Sequence, residues 1–209
     1  MPKGSAEQTR ARKNEIIDAC AALYETMGFK DITIKEIGKV TSFGRTSIYN
    51  YFQTKEEIFL ALLEREYDAW VADLDAMLAA NETMGTDAFA QALAHTLEKR
   101  TRLLRLMSMN HYDMEDNSRM DNLVAFKKSY GEALRAVSRC LEKFFPQMSD
   151  RQVQDFIYAF FPFMFGIYPY SVVSDKQRQA MAAAGADYVF LSLHELTVNC
   201  IRTLLADVE

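Results

Sequence analysis

Residues 33–59 read TIKEIGKVTSFGRTSIYNYFQTKEEIF, and the fold of the whole chain is decided by how this run is read. Thr33 followed by Glu36 has the spacing of a capping box, in which a hydroxyl accepts an orphan amide and the carboxylate reaches back to the cap. Ile34, Ile37 and Val40 give the short helix that follows one apolar side. Thr41-Ser42-Phe43-Gly44 suits a turn, with Phe43 as its plug into a core. In the next helix Ile48 and Phe52, four apart, face inward, which leaves Arg45, Thr46, Ser47, Tyr49, Asn50 and Tyr51 pointing outward. Cationic, hydroxyl, amide and aromatic groups in one place are the kit for phosphate oxygens and base edges. Thr54 and Glu57 repeat the capping-box spacing and open a long helix. Lys55, beside its positive end, offers a phosphate both a charge and free amides.

Upstream, a helix from Glu7 to Met27 has Ile16, Ile17, Cys20, Leu23 and Tyr24 on one stripe, with Gly28 as its stop. Residues 1–6 are expected to be a loose basic tail. Arg10, Arg12 and Lys13 cluster at the helix start, where a solvated face is the first reading and contact with a phosphate backbone the second.

Downstream, the helix opened by Thr54 extends to Ala80 and carries Phe59, Leu62, Leu63, Tyr67, Trp70, Leu74, Met77 and Leu78 along one side. It is about 40 Å long, which makes it the natural transmission element of the protein. Asn81 to Thr86 breaks the pattern. Helices are expected over Asp87–Lys99 and Thr101–Asn110, a polar loop over His111–Arg119, and a long helix over Met120–Phe145 that stops at Pro146. From Phe156 to Ser174, 19 residues pass without a charge, FIYAFFPFMFGIYPYSVVS. Length alone admits a membrane span, but Pro162, Gly166 and Pro169 interrupt it, so a buried helix is the better reading. Proline removes an amide and frees the carbonyl four residues back, which predicts a kink near Tyr158. A last helix, Asp187–Asp207, repeats Leu193, Leu196, Cys200, Ile201, Leu204, Leu205 and Val208.

With 209 residues and 49% hydrophobic content the chain can bury a proper core, and the absence of strand-like alternation predicts an all-α protein. The net charge of −5 is unevenly spread. Residues 1–55 hold nine Lys/Arg against six Asp/Glu, +3, leaving fifteen against twenty-three, −8, for residues 56–209. A basic head on an acidic body suits nucleic acid, although ordinary surface scatter gives +3 about as readily. Cys20, Cys140 and Cys200 are far apart and odd in number, which reads as reduced core thiols of a cytoplasmic protein. The amino terminus has no apolar run of a secretory signal.

The run at 33–59 thus reads as a helix-turn-helix, and from Ile16 to Phe59 it resembles the TetR family of dimeric transcriptional regulators. Ile16, Ala19, Leu23, Tyr24, Gly28, Phe29, Thr33, Ile37, Phe43, Tyr49, Tyr51, Phe52, Lys55, Glu56 and Ile58 stand where that family's amino-terminal pattern has such residues. Two positions depart from it. Ser42 stands where the family usually has Gly, and Gly44 where it has Ser or Thr, which implies a turn bent differently, since serine tolerates a left-handed backbone less well than glycine.

The resemblance implies a helix-turn-helix DNA-binding domain over 1–53, followed by a helical ligand-binding and dimerisation domain over 54–209. It implies a homodimer that joins the last two long helices of each chain in a four-helix interface. The partners it implies are double-stranded operator DNA and a small-molecule effector, with no membrane and no cofactor. Thr33, Arg45, Thr46, Ser47, Tyr49, Asn50, Tyr51 and Lys55 are the expected DNA contacts. Trp70, Met107, His111, Tyr112, Phe160, Met164 and Tyr168 are the expected walls of a site for an apolar or aromatic ligand that releases a repressor from its operator. The competing reading is a helical sensor or carrier that keeps the fold without operator binding.

Catalytic constellations are not found. His95, His111 and His194 form no HExxH, and GxSxG, GxGxxG and P-loop patterns do not occur. Metal-ligand spacing is missing too, so neither an enzyme nor a metal site is expected.

Overall fold

The computed structural model describes residues 5–109 and 111–208; the side chains of residues 111–113 stand outside that description. The first four residues of the expected basic tail therefore lie outside the described residues, as do the side chains of His111 and Tyr112. Eleven helices run through the described residues, which contain no strand. The chain divides by contact into two units, Met1–Arg65 with Asn110–Ser129, and Glu66–Met109 with Tyr130–Glu209.

The first unit contains α1 (Ala6–Thr26), α2 (Ile34–Val40), α3 (Arg45–Ile48), the start of α4 (Lys55–Ala80), α7 (His111–Asp116) and the start of α8 (Met120–Phe144). Ser5 and Gln8 form the capping box that opens α1. Its apolar stripe buries Ile16, Cys20 and Tyr24, and Ile32, Ile37, Ile48, Phe52 and Phe59 are buried in the same unit. The Phe59 ring is met edge-on by Tyr24 at 5.3 Å and by Phe29 at 4.8 Å, an arrangement that favours aromatic quadrupoles as well as burial. Burial also drives the Cys20 thiol up to about 12, so it packs as an inert apolar group.

The second unit holds α5 (Thr86–Glu98), α6 (Thr101–Met107), α9 (Asp150–Ser171), α10 (Asp175–Ala183) and α11 (Leu193–Leu204), with the later parts of α4 and α8. Here α11 packs on α5 and α9, and α6 on α9. An aromatic chain forms the core: Tyr67 meets Tyr130 and Tyr130 meets Phe161, each at 5.7 Å, and Phe161 meets Trp70 at 6.0 Å. Trp70 is fully buried, so its indole N–H must find an acceptor, and it donates to Thr96 Oγ1 at 2.9 Å.

Several sequence expectations are corrected. The stretch His111–Arg119 is not a plain loop, because α7 occupies His111–Asp116. The segment, HYDMED, is too short and polar to show an apolar period, and Met114 in it is fully buried. The last helix starts at Leu193, where Ser192 and Glu195 make a capping box, and not at Asp187. Before it, α10 buries no side chain, so no apolar stripe announces it. Helix α9 is assigned as one helix through Pro162 and Pro169, and a separate bend of 84° follows Ser171, between α9 and α10. Its inner side buries Phe156, Phe160, Phe161, Met164 and Ile167, and among the described residues no single helix is long and apolar enough to cross a membrane.

Candidate nucleic-acid interface

The interface is built from the turn between α2 and α3. The Thr33 hydroxyl accepts the Glu36 amide at 3.2 Å and so starts α2, but the Glu36 carboxylate does not reach back; it pairs with Lys39 at 2.9 Å. Ile34 and Ile37 are buried as expected, whereas Val40 is 52% exposed, because α2 ends there and its last residue overhangs the turn. A methyl at Gly38 would stand 2.9 Å from the Arg45 amide nitrogen, so α2 and α3 touch backbone to backbone at this point.

The turn itself is held from α1. The Ser42 amide donates to the Glu15 carboxylate, and Arg12 donates to the Ser42 hydroxyl at 3.3 Å while lying over the Phe43 ring at 4.4 Å. Hydrogen bonds from Ser42 hold the Glu15 carboxyl below its usual range. Phe43 is half-buried between Arg12 and Tyr51, not driven fully into the core. Ser42 does not take up a left-handed backbone: among the described residues only glycine has a positive φ. Gly44 caps α3 with φ −76° and ψ 169°, an ordinary extended geometry, and supplies no side-chain hydrogen bond.

Helix α3 is only four residues long, and its continuation is made by turns, with the Asn50 amide on the Ser47 carbonyl and the Tyr51 amide on the Ile48 carbonyl. Ile48 and Phe52 are buried, which fixes the rotation of the segment. Arg45, Thr46, Tyr49 and Asn50 are exposed, with Ser47 and Tyr51 half-buried. Arg45 and Tyr49 are already joined, since Nη2 donates to the phenol oxygen at 3.1 Å. Lys55 is half-buried; its ammonium donates to the Phe29 carbonyl at 2.8 Å and sits 4.1 Å above the Phe29 ring. An ammonium carries three donors, so this contact leaves two for a phosphate oxygen.

Three features of this interface were not legible in the run at 33–59. One is the Glu15–Ser42–Arg12 brace, whose partners lie on a different helix. Another is the close approach at Gly38. The third is Glu57, read from sequence as a cap reaching back to Thr54. The Thr54 hydroxyl does accept the Glu57 amide at 3.2 Å, but the buried Glu57 carboxylate takes the Gln53 amide at 2.7 Å and the Arg119 guanidinium.

Of the residues expected to line an effector site, Trp70, Met107, Phe160 and Met164 are buried in the second unit and Tyr168 is half-buried there. His111 and Tyr112 belong by contact to the first unit.

A compact three-helix head with an exposed, side-chain-rich third element defines the helix-turn-helix class. Residues 16–62 match the family described as bacterial regulatory proteins, tetR family, and residues 64–206 match the tetracyclin repressor-like C-terminal domain. The chain belongs to the TetR family. It is 31% identical over 74 residues to an uncharacterised HTH-type transcriptional regulator, YfiR of Bacillus subtilis, a match covering 35% of this chain and 36% of that protein. The chain thus spans little more than a third of the curated relative it matches. Among solved structures it resembles the fatty acid degradation regulator FadR of Bacillus halodurans, with TM-score 0.60, 14% identity, and 100% and 99% of the two chains covered. It also resembles FadR of Thermus thermophilus, a TetR-family repressor solved with lauroyl-CoA, with TM-score 0.57, 18% identity, and 92% and 93% covered. These likenesses are likenesses of fold.

Proposed function

We infer that the chain is a homodimeric transcriptional repressor that reads operator DNA with the segment after Gly44. The observation that carries this is the split of one short element: Ile48 and Phe52 lock it into the core, while Arg45, Thr46, Tyr49 and Asn50 stay exposed. In this reading Thr33, Tyr49, Tyr51 and Lys55 hold phosphates and set register, and Arg45, Ser47 and Asn50 address base edges, with Thr46 beside them. Selection of bound fragments from random DNA, followed by titration of the selected and scrambled sequences, tests it. Equal affinity for both would end the operator reading and leave a sensor or carrier of the same fold.

A two-fold dimer supplies the second half-site one DNA turn away or a multiple of it. Helices α9 and α11 are the proposed interface. They pack on each other within the chain, yet α9 still exposes Tyr158 by 70% and Tyr170 by 58%. Large apolar groups left out on an otherwise packed helix suit a second copy. Sedimentation equilibrium would show a dimer; a monomer at micromolar concentration would refute this arrangement.

The effector proposed is a small apolar or aromatic molecule held within the second unit by Trp70, Met107, Phe160, Met164 and Tyr168. Release requires that it bind the DNA-incompetent state more tightly than the competent one. Helix α4, continuous from Lys55 to Ala80, is the element proposed to carry the change. A ligand that saturates the protein and leaves operator affinity unchanged would rule this mechanism out.

A further inference from the structure

The stretch after Met109, through Ser129, belongs by contact with the helix-turn-helix, although the residues on either side of it in sequence belong to the other unit. Asn117 and Arg119 bind it to the head. The Asn117 carbonyl accepts the Thr54 hydroxyl at 2.9 Å. Arg119 donates from Nε to Glu57 Oε1 at 2.6 Å and from Nη2 to Oε2 at 2.9 Å, and its own amide adds a third bond to Oε1 at 3.1 Å. The same Nη2 also donates to the Tyr51 carbonyl at 3.0 Å. Glu57 is 1% exposed, and its remaining acceptor capacity is used by the Gln53 amide.

A guanidinium is a rigid planar fork, so two arms on a carboxylate and one N–H on a carbonyl fix three groups relative to one another. Here the three groups are the Arg119 side chain, the first turn of α4 and the Tyr51 carbonyl, which lies one residue past Asn50. Arg119 is itself anchored, because its carbonyl accepts the Asn122 and Leu123 amides at 3.0 and 3.1 Å and so opens α8. The Lys127–Glu115 pair at 2.6 Å joins α8 to α7.

We propose that Arg119 is a positioning residue for operator recognition, fixing the pose of the DNA-reading segment through Glu57 and the Tyr51 carbonyl without touching DNA itself. The inference rests on the operator reading given above and adds a determinant that lies far from the motif in sequence. The rival role for a guanidinium that is 46% exposed is a direct phosphate contact, and the two roles separate by salt dependence.

The test uses the full chain with the fragment selected from random DNA and a scrambled fragment of equal length. Arg119→Met lowers affinity for the selected fragment about ten- to a hundredfold, while the scrambled fragment and the salt slope stay as in the wild type. Arg119→Lys restores little, because an ammonium keeps the charge but not the fork. The double variant Glu57→Gln with Arg119→Met removes the buried carboxylate together with its partner, so it keeps a folded circular dichroism spectrum and still loses the preference. Equal losses on both fragments with a shallower salt slope and rescue by lysine would make Arg119 a phosphate contact and overturn the proposal. A folded double variant with wild-type preference would overturn it as well, reducing the contact to a stabilising one. A wild type without preference for any fragment would overturn the operator reading first, and this inference with it.

Discussion

Gly38 and Arg45 approach so closely that an added methyl on the first would stand 2.9 Å from the amide nitrogen and 3.1 Å from the Cα of the second. The obstruction is backbone, which cannot swing aside like a side-chain tip. Gly38→Ala therefore has to push α3 away from α2 and shift every outward side chain with it. Affinity for the selected fragment is expected to fall about tenfold or more, with a loss of stability of about 1–3 kcal/mol from overpacking. Titration and urea unfolding on the same variant check both, and unchanged operator affinity would show that the head absorbs the methyl without moving.

Gly44 predicts the opposite sign. Its φ and ψ suit any residue, nothing lies within 4 Å of an added Cβ, and the position is an N-cap without a side-chain bond. Gly44→Ser supplies the missing acceptor and restricts the unfolded chain, a gain of about 0.5–1 kcal/mol. A higher melting temperature with the selected DNA still bound is the expected result, and a lower one would show the cap geometry to be different in solution.

In the proposed reading Arg45 addresses bases and Lys55 a phosphate, so their variants should fail in different ways. Arg45→Ala is expected to cost about 1–3 kcal/mol on the selected fragment and to relax discrimination among bases. Lys55→Met should weaken selected and scrambled DNA alike and lower the salt slope by about one. The Arg45 result has a built-in control, since the Arg45–Tyr49 bond of the free protein is lost in the same variant. Tyr49→Phe removes that bond together with the hydroxyl proposed to hold a phosphate but keeps the guanidinium, so a loss of base discrimination seen only in Arg45→Ala belongs to Arg45 itself.

Glu57 makes the head sensitive to acid. Burial pushes its carboxyl up, but hydrogen bonds from the Arg119 guanidinium and from the Gln53 and Arg119 amides outweigh this and leave it below the ordinary value of 4.5. A carboxyl depressed in the folded state stabilises fully above its unfolded value and loses that contribution as pH falls through the folded one. Urea midpoints should therefore be steady from neutral pH to about 5 and drop below 4.5. Glu57→Gln should show a flatter acid limb, and an identical limb would place the acid-labile group elsewhere.

The residues that face inward were readable along the chain because apolar periodicity reports burial directly. Ile16, Cys20, Ile37, Ile48, Phe52, Phe59, Trp70 and Ile201 all sit where a helical stripe puts them. The same rule set the outward side of the segment after Gly44, since fixing Ile48 and Phe52 inside leaves few directions for Arg45 and Asn50. Caps at Thr33 and Thr54 were equally plain, being local in sequence.

Folding alone decided which distant group answers each polar side chain. Glu57 takes a guanidinium 62 residues away, and the Ser42 amide takes a carboxylate 27 residues back on α1. Neither pairing leaves a period or a spacing, because a hydrogen bond depends on where two atoms end up and not on how often a residue type recurs. The same holds for Gly38, whose lack of a side chain acquires meaning only when α3 is laid against it. It holds too for α7, six residues long with Met114 buried, and for α10, which buries no side chain at all.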